Sequence, residues 1–74
     1  MQEKARMLAQ AIHALPARCR EVVIQRKFNA LSQKETAALL GLAEKTVEAQ
    51  LSRGIKRVEA YLRKRGVHNY FVDE

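Results

Sequence analysis

Lys45, Glu48, Ala49, Ser52, Arg53 and Lys56 share a spacing that suits recognition rather than covalent chemistry. On a helix that advances about 100° per residue, Lys45, Ala49, Ser52, Arg53 and Lys56 point to one side, with Glu48 on its flank. The middle of that face is short-chained and its edges are cationic. Short side chains let a helix approach the floor of a DNA major groove, and long cations reach phosphates or guanine. Arg53 can donate two hydrogen bonds to one guanine, or else meet a phosphate. Glu48 can accept from a cytosine amino group or simply orient Arg53. Upstream, Gln33 and Lys34 open another helix, where free backbone N–H groups help side chains hold a phosphate. A polar outward face is also what any surface helix presents, so the face needs support from its surroundings.

Covalent and metal chemistry have few candidates. His13, Cys19 and His68 are the only soft ligands or nucleophile partners, and no zinc-type spacing connects them. Cys19 falls in an apolar slot and reads as a packing residue. The chain is therefore expected not to be an enzyme and to carry no metal or cofactor. A single cysteine forms no internal disulfide and suits a reducing compartment, here the cytoplasm. No apolar run approaches the roughly 20 residues of a membrane span, and the N-terminus lacks the apolar core of a signal peptide. Membrane insertion is not expected. Lys plus Arg total 14 against 8 acidic residues, a net charge of +6, which points to an anionic partner.

The elements that must position this face follow from periodicity. In 74 residues there is room for one small domain. Ala5, Leu8, Ile12 and Leu15 form a helical stripe. Pro16 ends that helix and starts a second, expected from Pro16 to Phe28, whose inner face carries Cys19, Val22 and Val23 and is extended by Ile24 and Phe28. Ser32-Gln33-Lys34-Glu35 fits a capping box that opens a short third helix. Ala37, Leu40 and Thr36 are expected to face inward, and Gly41 supplies the left-handed residue that closes the helix. Leu42 and Val47 sit where a hydrophobic staple places them if Ala43 is the N-cap of a fourth helix. The fourth helix carries the stripe Val47, Leu51, Ile55, Val58, Leu62 and ends near Gly66. Gly54 lies on its inner side, where close approach of another helix is the natural reason for a glycine.

Short helix, tight turn and second helix make a helix-turn-helix. Ala37 is small where the helices cross, Gly41 makes the turn, and Val47 plugs the second helix into the first. The fold class expected is all-α, a compact four-helix domain containing a helix-turn-helix over residues 1–66, with 67–74 as a C-terminal tail. In that tail, Tyr70, Phe71 and Val72 either fold back on the domain, meet a partner or fray.

The run LPARCREVVIQRKF followed by LSQKETAALLGLAEKTVEAQLSRGIKRVEAYL resembles region 4 of bacterial sigma factors, most of all the extracytoplasmic-function group. The resemblance is carried by Leu15-Pro16, Arg20, Val22-Val23, Leu31-Ser32, Glu35, Ala37, Leu40-Gly41, Thr46-Val47, Leu51, Ser52-Arg53 and Leu62, and covers about residues 5 to 65. It implies a domain that reads the promoter −35 element in double-stranded DNA through the second helix of the motif. It further implies docking on the β-subunit flap of RNA polymerase and masking by an anti-sigma factor. The family's base-reading positions fall on Glu48, Ala49, Ser52 and Arg53, and its phosphate-contacting positions near Arg18, Arg20, Lys45, Thr46 and Lys56. Two residues depart from its pattern: Ala43 replaces the usual Ser, and Thr36 stands where Ile is common.

Two other readings compete. A LuxR-type response-regulator DNA-binding domain shares the Thr-Val-Glu wording, but it opens with a Thr-Pro-Arg-Glu-like stretch and dimerises on its last helix. Leu15-Pro16 with Arg20 fits the sigma pattern better, and a monomer is expected. A sigma-like decoy that binds an anti-sigma factor instead of DNA could dispense with outward cations, yet Lys45, Arg53 and Lys56 are present.

Overall fold

In the computed structural model, which describes residues 2–68 apart from the side chain of Gln2, four α-helices are joined by short links. They are α1 (Gln2–His13), α2 (Ala17–Val23), α3 (Gln33–Leu40) and α4 (Glu44–Arg63). No strand occurs among the described residues. The proposed docking of Tyr70, Phe71 and Val72 lies outside them.

The long α4 is the spine. Its 20 residues span about 30 Å, and α1, α2 and α3 all pack on it. Its inner stripe feeds two cores. One gathers Leu8, Ala11 and Ile12 of α1, Leu15 of the link that follows, Cys19 and Val23 of α2, and Val58 and Leu62 of α4. The other joins Val22 of α2, Ala37 of α3 and Val47 of α4, with Leu40, Leu42 and Leu51 against it. Neighbouring Val22 and Val23 therefore serve different cores, and both are fully buried. Each such side chain is worth about 1.5–3 kcal/mol of burial.

The first stripe holds as expected at Leu8, Ile12 and Leu15 and differs at Ala5. Leu8, Ala11, Ile12 and Leu15 are buried, whereas Ala5 is exposed. Ala11 joins the first core, and Ala5 instead lines a groove toward α2.

The second helix is not α-helical throughout. After Val23 the backbone widens into a π-helical turn, Ile24–Phe28, which leaves Ile24 half-buried and turns Phe28 outward, so Phe28 does not extend the inner face as expected. The i→i−5 bond of the turn runs from Asn29 N–H to Ile24 O at 3.0 Å. The link that follows is closed from both sides. Leu31 N–H donates to Gln25 O at 2.9 Å, and Arg26 Nη1 donates to Leu31 O at 3.0 Å. Ala30 sits between them at φ 59, a left-handed conformation uncommon for a residue with a Cβ. Widening the helix brings its last carbonyls to the link, so the chain turns toward α3 without leaving them unpaired.

At Gly54 α2 and α4 approach closely. A Cβ there would meet Val23 Cγ2 and lie 2.9 Å from Cys19 Sγ. The Cys19 thiol donates in turn to Gln50 O at 3.3 Å. At the far end, α4 closes with Gly66 at φ 87. Val67 N–H then donates to Leu62 O at 2.9 Å, and its side chain packs on the first core.

Candidate nucleic-acid interface

The site begins with how α3 is started. Ser32 Oγ accepts from Glu35 N–H at 3.0 Å, and Glu35 Oε1 accepts from Ser32 N–H at 2.8 Å. That is the full capping box, which pairs two donors that a helix start otherwise leaves free. Gly41 ends α3 at φ 69, and Leu42 N–H donates back to Ala37 O at 2.9 Å. Ala43 then adopts an extended conformation as N-cap of α4 and gives no side-chain bond. Its carbonyl accepts from Val47 N–H at 3.0 Å, and the buried Val47 side chain locks α4 against Ala37 and Val22.

This geometry turns one face of α4 outward. Lys45, Thr46, Glu48, Ala49, Ser52, Arg53 and Lys56 are all exposed, while Val47, Gly54 and Val58 are buried behind them. Among the described residues the one ion pair is Arg18 to Glu21, at 3.1 Å on the surface of α2. Among the described residues the cations of α4 therefore carry no carboxylate partner. Arg53 and Arg57 lie near enough to α2 to act on Cys19. Burial pushes that thiol up from its ordinary range, and the two guanidinia pull the other way.

The phosphate-contact candidates divide by location. Lys34 is exposed in the first turn of α3, beside the turn. Gln33 Nε2 donates to Glu44 O at 3.1 Å, which ties the first turn of α3 to the first turn of α4. Arg18 is exposed and engaged with Glu21. Arg20 is turned to the end of α1, where Nη1 donates to His13 O at 3.1 Å. There it rims a shallow apolar groove that also includes Leu8, Ile12, Ile24 and Phe28 and involves no residue of α3 or α4. Nothing in the residue pattern announced these two ties. A short-range signal for Arg20 exists only after the fact: it lies seven residues beyond a helix end whose carbonyls need donors.

Among the described residues no group of His, Cys, Asp or Glu is placed to hold a metal ion, and no helix is long and apolar enough to cross a membrane. What the arrangement can do is hold a rigid, small-centred, cation-edged helix against a groove.

A short helix crossed on a longer one, with a left-handed glycine between them, defines a helix-turn-helix protein. The family model described as Sigma-70, region 4 matches residues 5–58, and the chain belongs to that family. Region 4 is the DNA-binding regulatory domain through which sigma factors recognise the promoter −35 element; the family is not a catalytic one. No curated protein and no solved structure matches the chain.

Proposed function

We propose that this chain is region 4 of an extracytoplasmic-function sigma factor, acting in the cytoplasm as a monomer on double-stranded promoter DNA. In this reading α4 enters the major groove, Glu48, Ala49, Ser52 and Arg53 meet base edges, and Lys45, Thr46 and Lys56 meet phosphates. Lys34 and Arg18 add backbone contacts, Gln33 sets the angle at which α3 meets the DNA, and Arg20, tied to His13 O at the end of α1, belongs to the docking groove instead. Ala49 offers a methyl group, which suits a thymine methyl. The observation that carries the reading is the outward face of α4, with unpaired cations around a short-chained centre.

The domain also docks on the polymerase β-subunit flap and is held by an anti-sigma factor. The apolar groove between α1 and the π-helical turn supports a docking role, since it draws nothing from the two helices of the motif.

The test is selection of duplexes from a randomised pool at low salt, followed by titration of the winners. A short asymmetric motif bound by a monomer is expected. Arg53→Ala should relax preference at one base pair by about 1–3 kcal/mol; equal weakening on every sequence would make Arg53 a phosphate contact. A palindrome bound by a dimer would favour the LuxR-type domain, and no salt-dependent binding would favour the decoy.

A further inference from the structure

The charge of α4 and its C-terminal cap is concentrated in the half that begins at Arg53. Residues 44–52 hold two acids, Glu44 and Glu48, and one cation, Lys45. Residues 53–65 hold six cations and one acid, Glu59. The outward face does not stop at Lys56. Arg53, Lys56, Arg57, Ala60, Arg63 and Lys64 follow the helical repeat along one exposed side. Ala60 keeps the middle of this second stretch short, as Ala49 does in the first. Among the described residues none of these cations is in an ion pair. Arg65 differs: its guanidinium stacks over the Tyr61 ring at 3.7 Å and donates to Tyr61 O at 3.0 Å.

Length decides what this stretch can touch. Glu48 to Lys56 spans about 12 Å of helix axis, close to the width of about 12 Å of a major groove. Lys64 lies about another 12 Å beyond Lys56. A straight α4 seated by its first half therefore carries Arg57, Arg63 and Lys64 past the groove, over backbone flanking the recognised bases. We infer that Arg57, Arg63 and Lys64 form a second, sequence-independent DNA contact on the phosphates to one side of the read element. The inference rests on the reading of α4 as the groove helix. An acidic protein surface is the other partner such a ridge fits. DNA is favoured because the ridge continues the same side of the same rigid helix as Arg53 and Lys56, with no change of face.

The experiment uses the selected motif in three duplexes: minimal flanks, or about one added helical turn on the left or on the right. Binding of the wild-type domain and of the triple variant Arg57→Gln, Arg63→Gln, Lys64→Gln is titrated across salt. All three residues are exposed, and unchanged melting confirms that the variant is folded. The wild type should gain affinity from one flank only, and the triple variant should lose that gain while keeping its base preferences. Its salt slope should be shallower by about 0.9 per contact, or about 2.7 in all. That corresponds to an about 40-fold difference in affinity loss over a fourfold rise in salt. The charge-keeping variant Arg57→Lys, Arg63→Lys, Lys64→Arg should restore the flank dependence. Flank-independent binding with the motif still selected, or a triple variant indistinguishable from wild type, overturns this inference alone and leaves the ridge to an acidic protein. Failure to select any motif overturns the proposed function, and this inference with it.

Discussion

Gly54→Ala sets two effects of opposite sign against each other at one atom. In an exposed helix the change would add about 1 kcal/mol of helix propensity. Here the new methyl would lie 2.9 Å from Cys19 Sγ, where ordinary contact begins at 3.4 Å, and closer still to Val23 Cγ2. The α2 helix must then retreat by at least about 0.5 Å at Cys19, from 3.4 less 2.9 Å, and by more at Val23. Neither neighbour yields easily. Val23 is fully buried, and the Cys19 thiol is bonded to Gln50 O. Overpacking of this kind costs about 1–3 kcal/mol. With two fixed neighbours the upper end applies, leaving a net loss of about 2 kcal/mol after the propensity gain. For a domain of this size that lowers Tm by about 8–16 °C, read by far-UV circular dichroism. The contact itself is tested by a double-mutant cycle. Val23→Ala should cost less in the Gly54→Ala background than in the wild type, by about 1 kcal/mol or more. A Tm equal to or above wild type, or a cycle with no coupling, would refute the close approach as the reason for this glycine.

Thr36 is fully buried and its Oγ1 has no hydrogen-bond partner among the described residues, so Thr36→Val should raise stability by about 1–2 kcal/mol; a drop in the urea midpoint would show that the hydroxyl is satisfied. Ala43→Ser places a hydroxyl at an N-cap that has extended geometry and no side-chain bond, and should add up to about 1 kcal/mol. An unchanged Tm there would mean that α4 is not limited by its cap. Burial raises the Cys19 thiol against the pull of Arg57 and Arg53, so the fold favours the neutral thiol. That preference contributes in full below the unfolded thiol value of about 8.5 and is lost as pH climbs past it. The stability advantage of the wild type over Cys19→Ala should accordingly hold at pH 7 and shrink at alkaline pH; an advantage that grows with pH would reverse the sign of the argument.

The parts legible in the sequence were those fixed by backbone chemistry at short range. Ser32 with Glu35, Gly41 after Leu40, and the Val47-to-Leu62 stripe each impose a local conformation whatever the rest of the chain does. The reason for Gly54 was legible because a glycine on a buried face has few other uses. The π-helical turn was not, since Ile24–Phe28 is ordinary helical sequence and its widening depends on how Leu31 and Arg26 close the link. Nor was the left-handed Ala30, where a glycine would have been the signal. In the site, the outward face of α4 followed from periodicity alone. The engagement of Arg20 with His13 O and of Gln33 with Glu44 O did not, because each spans a turn whose geometry exists only after folding.

The bond from Gln33 to Glu44 O, together with left-handed Gly41 and buried Val47, fixes the angle between α3 and α4 before any ligand arrives. The conformational entropy of setting that angle is lost during folding, not during association. What remains to be ordered on DNA is a small set of long side chains, at about 0.5–1.5 kcal/mol each. On the proposed reading, in which α4 enters the groove, most of the free energy of each contact is thus kept as affinity, and the pair of helices meets the DNA as one rigid body.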